Sequence, residues 1–105
     1  MELTFYGELG LIEFTLPFRI REGDTGAVET LLTRKITLLR QEAKGIYTHL
    51  KSLDGIIDST KPGSDIREQT EFQKNQLTLH LIGFQNYLED EIKKADDIRN
   101  YLRAA

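Results

Sequence analysis

Two histidines are the residues of this sequence best suited to bind a metal ion. In helical bundles that hold a pair of metal ions, each histidine follows a glutamate by three positions, so that both ligands project from one helix face. The residues three positions before His49 and His80 are Ile46 and Leu77, and the chain has no cysteine that could complete a zinc site. We therefore predict no metal and no cofactor, and a structural or surface role for both histidines.

Serine and glycine patterns do not indicate catalysis or phosphate binding either. Ser52, Ser59 and Ser64 lack the G-x-S-x-G context of a nucleophilic serine. The segment Gly7–Gly10 lacks both the lysine of a P-loop and the further glycine of a dinucleotide-binding loop. We predict no catalytic residue and a protein that is not an enzyme. An enzyme whose active site forms between subunits stays open as a third alternative.

Basic residues on one side of a predicted helix offer a different chemistry. Arg40, Lys44 and Lys51 project from one side and could contact phosphates or an acidic protein. The formal net charge is -3 and the pI is about 5.4, so no overall field attracts nucleic acid. A solvated helix face explains the same pattern. We therefore do not expect nucleic acid as a partner, and keep a regulatory binding module that recruits nucleic acid or an acidic protein as an alternative function.

Length and composition favour a small globular protein. The chain has 105 residues, of which 39% are hydrophobic and 30% charged, and we treat 1–105 as one domain. No apolar run approaches the roughly 18 residues that a membrane-spanning helix needs. The N-terminus lacks the basic and apolar regions of a secretory signal, so we expect a cytoplasmic location.

The N-terminal residues 1–21 alternate between apolar and polar, which is the periodicity of a β-strand. The segment Gly7–Gly10 interrupts this alternation with turn-type residues. We predict two strands, at about 2–6 and 11–20, that form a short β-hairpin with Pro17 at an edge. The apolar residues of the pattern are Leu3, Phe5, Phe14, Leu16, Phe18 and Ile20.

Two long helices are predicted from heptad spacing in the rest of the chain. Helix one spans 25–58, a Pro–Gly turn occupies 59–64, and helix two spans 65–103. The short turn makes the helices antiparallel neighbours. The predicted fold class is mainly α, with a coiled-coil-like two-helix hairpin preceded by the β-hairpin, and a helical bundle on oligomerisation. The two heptad stripes are Leu32, Ile36, Leu39, Ala43, Ile46, Leu50, Leu53 and Ile57, and Leu77, Leu81, Phe84, Leu88, Ile92, Ala95, Ile98 and Leu102.

Both predicted helices carry apolar residues beyond the stripe that one partner helix covers. Burial of each such side chain stabilises by about 1.5–3 kcal/mol. Three explanations are open: the N-terminal ribbon and the last turns of helix two cover them, a different protein binds them, or the protein associates with itself as a homodimer or larger assembly. Self-association predicts that the protein is a non-enzymatic assembly subunit. The predicted interface comprises Leu31, Leu38, Gly45 and Ile56 on helix one, and Phe72, Leu79 and Ile82 on helix two.

Overall fold

The computed structural model describes residues 4–104, which form three helices and no strand. Helix α1 spans Phe5–Glu22, α2 spans Thr25–Ser59 and α3 spans Asp65–Ala104. The chain is mainly helical, as predicted, but the predicted architecture is wrong. From Phe5 onward the expected β-hairpin is a helix, and three helices replace the expected combination of a β-hairpin with a two-helix hairpin. Residues 1–3 of the predicted ribbon lie outside the described residues.

Local capping signals explain why the N-terminal segment is helical. The Thr4 hydroxyl accepts a hydrogen bond from the Gly7 N–H at 3.0 Å, which caps the first turn of α1. Gly23 ends the helix with a left-handed φ of 71°. Its N–H donates to the Ile20 carbonyl, and the N–H that follows donates to the Arg19 carbonyl, each at 3.1 Å. This is the Schellman arrangement that satisfies the last carbonyls of a helix.

The helical period separates residues that a strand would place on one face. Successive positions of a helix turn by about 100°, so alternating residues do not share a side. Leu16 is only 7% exposed and Ile20 is half-buried, whereas Phe14 is 69% exposed and Phe18 is 48% exposed. Pro17 lies on the exposed surface within the helix, which continues through it. The residues of the period-two pattern therefore form two stripes on opposite sides of α1.

The first compact unit comprises residues 4–41 and 88–104 of the described chain. It contains α1, the first half of α2 and the last part of α3. Its core combines Leu16 of α1, Val28 and Leu32 of α2 and Ala95 of α3, so each of the three helices contributes a buried side chain. Partly buried residues at the edge of this cluster are Ile20, Leu31, Ile98 and Leu102.

A group of ion pairs also joins the three helices of the first unit. The Lys35 ammonium of α2 lies 2.7 Å from a carboxylate oxygen of Glu91 on α3 and 3.5 Å from one of Glu13 on α1. The Glu91 side chain is only 8% exposed. Burial acts to raise the pKa of Glu91, but the hydrogen bonds and charges of Lys35 and Lys94 outweigh it, so the pKa lies below its ordinary value of 4.5.

The second compact unit comprises residues 42–87 and contains two antiparallel helical segments. Ile46 and Leu50 of α2 pack with Leu81 of α3 to form its core, with Ala43, Leu77 and Phe84 at the edge. At the turn, the Arg67 guanidinium donates to the Thr60 carbonyl at 3.2 Å. The Ser64 hydroxyl accepts from the Arg67 N–H at 3.3 Å, so Ser64 caps α3.

Two substitutions in α1 distinguish the helix from the predicted strand. Leu16→Ala should lower the free energy of unfolding by about 2–5 kcal/mol, because it leaves a cavity among Val28, Leu32 and Ala95. Phe14→Ala should change it by no more than about 0.5 kcal/mol, since its ring is exposed. Urea titration measures both values. Equal losses at the two positions would favour the strand, in which both side chains share a face.

Removal of the buried carboxylate should destabilise the first unit. Glu91→Gln should cost about 1–3 kcal/mol, because Lys35 loses the carboxylate that lies 2.7 Å from its ammonium group, whereas Glu13 lies farther away, at 3.5 Å. The matched control Glu22→Gln breaks an exposed pair with Arg19 and should change stability little. Similar losses for the two variants would contradict the role of the buried pair.

The same carboxylate gives an expected pH dependence. Since the pKa of Glu91 is lower in the folded protein, its contribution to stability is complete above about pH 4.5 and is lost as the pH falls through the folded-state pKa. Glu8 and Glu29 have pKa values lowered in the same direction by hydrogen bonds to Arg34 and Arg99. Thermal unfolding monitored by circular dichroism below pH 5 should therefore show that Glu91→Gln loses less stability on acidification than the wild type does.

Candidate interaction surface

The predicted interface residues of the first unit are covered by the chain itself. Leu31 is half-buried and packs against the cluster that contains Leu16 of α1. Leu38 is buried, with 6% of its surface exposed. The N-terminal segment therefore contributes to covering this part of the second stripe as a helix rather than as the expected ribbon.

The predicted interface residues of the second unit are exposed. Phe72 and Leu79 are 64% and 65% exposed, and Ile56 and Ile82 also present large exposed surfaces. Gly45 is exposed as well, with open space where a β-carbon would lie. The seven residues are thus divided between the two units, and the five that belong to the second are exposed.

From 43 to 59 of α2 and from 72 to 87 of α3, no charged residue lies on the side that carries these apolar groups; Glu42 and Glu68 of the same unit flank this surface, and Glu68 lines a pocket with Phe72 and Gln73. From 43 to 59, the charged positions of α2 fall within an arc of about 80°, roughly opposite Gly45 and Ile56. From 72 to 87, Lys74 is the only charged residue of α3, and it forms a salt bridge with Asp54. We call the uncharged surface the neutral face; it consists of Gly45, His49, Ser52, Ile56, Phe72, Gln76, Leu79, His80, Ile82 and Gly83.

The two histidines lie on this neutral face and line one open groove of about 480 Å³. His49 comes from α2 and His80 from α3, and the His80 ring centroid lies 6.4 Å from that of Phe84. The other lining residues are Leu53, Phe72, Gln73, Gln76 and Leu77. No group of three or more histidine or carboxylate side chains among residues 4–104 is arranged to hold a metal ion. The groove therefore offers apolar contacts and amide and imidazole hydrogen bonds.

The basic residues singled out in the sequence are divided between the units. Arg40 belongs to the first unit, whereas Lys44 and Lys51 belong to the second, and all three are exposed. Within residues 4–104 none of them takes part in a salt bridge. The Lys51 ammonium lies 5.0 Å from the ring centroid of Tyr47, within the range of a cation–π interaction.

A second exposed apolar surface lies on α1 and was missed by the sequence analysis. Leu11, Phe14 and Phe18 are 55%, 69% and 48% exposed, and the two phenylalanine rings are 5.5 Å apart. The Arg21 guanidinium lies 6.0 Å from the Phe18 ring. The signal was the i, i+3, i+7 spacing of these three residues, which indicates one side of a helix.

Comparison of the chain with protein-family models, with curated proteins and with solved structures finds no significant match. Among residues 4–104, no helix combines the length and the apolar character needed to cross a membrane.

Proposed function

We propose that this protein is a non-enzymatic assembly subunit that binds further copies of itself through the neutral face. The observation that carries the proposal is the exposure of Ile56, Phe72, Leu79 and Ile82 on the neutral face, which has no charged residue from 43 to 59 of α2 or from 72 to 87 of α3. Single exposed apolar residues are common, but several of them on an uncharged helix surface indicate an interaction site. The cores of protein interfaces are likewise depleted of charged residues.

A second copy of the chain matches the chemistry of this surface. In a two-fold assembly the same patch packs against itself, so an uncharged face meets an uncharged face. No carboxylate or ammonium group of the patch is then buried without a counter-charge, which would oppose association. Packing of two helical pairs would form a four-helix arrangement, a common way to cover the remaining apolar side of antiparallel helices.

The proposal is tested by placing one charge on the neutral face. Leu79→Glu should raise the dissociation constant of the assembly at least about a hundredfold, or about 2.8 kcal/mol, because it removes apolar contact and introduces a carboxylate without a counter-charge. Analytical ultracentrifugation over a wide range of concentrations measures the constant. The matched control Gln85→Glu adds the same charge to another side of α3 and should associate like the wild type.

Two results would reject this function. One is a wild-type protein that remains monomeric at the highest concentration reached. The other is a Leu79→Glu variant that associates as tightly as Gln85→Glu.

A second candidate is a binding module that uses Lys44 and Lys51. It is favoured by their exposure, by the absence of salt bridges to them within residues 4–104, and by the position of Lys51 over Tyr47. Lysines without carboxylate partners are available to phosphates, and a neighbouring aromatic ring can stack on a base.

Binding to a labelled single-stranded DNA oligonucleotide tests this candidate. If the basic residues contact phosphates, the affinity should fall as the salt concentration rises. The double variant Lys44→Gln/Lys51→Gln should then reduce the slope of log affinity against log salt concentration by roughly 0.7 per lost contact. Fluorescence anisotropy provides the measurement. Lys61→Gln/Lys93→Gln changes the net charge equally at two other exposed lysines and should leave the slope unchanged. Equal effects of the two double variants would indicate only a general charge effect.

A further inference from the structure

The groove on the neutral face has two side chains that can change charge in mildly acidic solution. His49 and His80 are the titratable residues of its lining, whereas Gln73, Gln76 and the apolar residues stay uncharged at any physiological pH. Imidazole groups ordinarily change charge between about pH 8 and pH 5. The neutral face can therefore become positively charged without any change in its residues.

No carboxylate lines the groove to compensate for such a charge. Along the two sides of the helices that form it, the nearest acidic residues are Glu42, seven positions before His49, Asp90, ten positions after His80, and Glu68, twelve positions before His80. These separations correspond to about 10 Å, about 15 Å and about 18 Å along a helix. Glu68 lines a neighbouring pocket with Phe72 and Gln73, but it does not line the groove.

The charged residues closest in sequence to the histidines lie on other sides of the helices. Lys51 interacts with the ring of Tyr47. Asp54 and Lys74 form a salt bridge with each other, and neither lines the groove.

We infer that mild acid dissociates the self-assembly of this protein, and that His49 and His80 are the residues that respond. The inference rests on the proposed self-association and adds its regulation. A neutral imidazole fits an uncharged interface, because it donates one hydrogen bond and accepts another. An imidazolium in the same place would be buried without a carboxylate partner.

Two-fold symmetry strengthens this effect. Because each copy presents the same groove, every protonated histidine is accompanied by its counterpart in the other copy, and the like charges repel across one interface. Protons therefore bind more readily to the free subunit than to the assembly. By linkage, a fall in pH shifts the equilibrium toward free subunits.

Analytical ultracentrifugation at about pH 7.5 and about pH 5.5 tests the inference, since ordinary imidazoles change charge between these values. The dissociation constant of the wild type should be at least about tenfold larger at the lower pH. The double variant His49→Gln/His80→Gln should show no such change, because its amides cannot be protonated. Far-UV circular dichroism at both pH values checks that the helices remain folded; the acid sensitivity expected for Glu91 lies lower, below about pH 4.5.

A third variant tests the same mechanism without histidine replacement. Gln76→Lys introduces a permanent charge among the groove residues and should weaken assembly at about pH 7.5 to the level of the wild type at about pH 5.5. Lys51→Gln alters charge outside the groove and should retain the wild-type response.

The outcomes separate the inference from the function on which it rests. An assembly that is equally tight at both pH values overturns the pH response alone, as does a double glutamine variant that responds like the wild type. A Gln76→Lys variant that assembles normally at about pH 7.5 also overturns it. A wild type that is monomeric at both pH values overturns the inference together with the proposed self-association.

Discussion

Two packed helices can bury only one stripe of each other, and much of this structure follows from that constraint. In the first unit α1 provides a third surface, so Leu16 joins Val28, Leu32 and Ala95 and Leu31 packs against them. The second unit, residues 42–87, consists of two helical segments and their turn. Its second apolar stripe is therefore exposed, because no further helix of that unit is available to cover it.

The two units also differ in how their charged residues are arranged. In the first unit Lys35, Glu91 and Glu13 bring opposite charges together where three helices meet, which allows Glu91 to be ionised although it is buried. In the second unit the salt bridge between Lys74 and Asp54 lies away from the groove, and neither a carboxylate nor a lysine or arginine lines the groove. An uncharged, apolar helix surface is costly to leave in water and suited to a matching partner.

The histidines illustrate how packing gives residues a chemistry that their local sequence does not suggest. Neither His49 nor His80 has a metal-ligand neighbour at helical spacing, and the local pattern indicates only structural or surface positions. Antiparallel packing of α2 and α3 places both imidazoles in one groove with apolar and amide side chains. The lining that they share contains no carboxylate, which is the basis of the proposed effect of their charge on self-association.

The sequence by itself determined the mainly helical character of the chain and the buried side of α2, because heptad spacing brings Leu32, Leu39 and Leu50 to one side whatever lies opposite. It did not determine the structure of residues 4–22, since their alternation fits a strand as well as two opposite helical stripes. Tertiary packing decided between them: a helix buries Leu16 and leaves Phe14 in solvent. The same packing decided which apolar residues are exposed, because burial depends on whether a third helix lies against them, and residue spacing alone does not specify that.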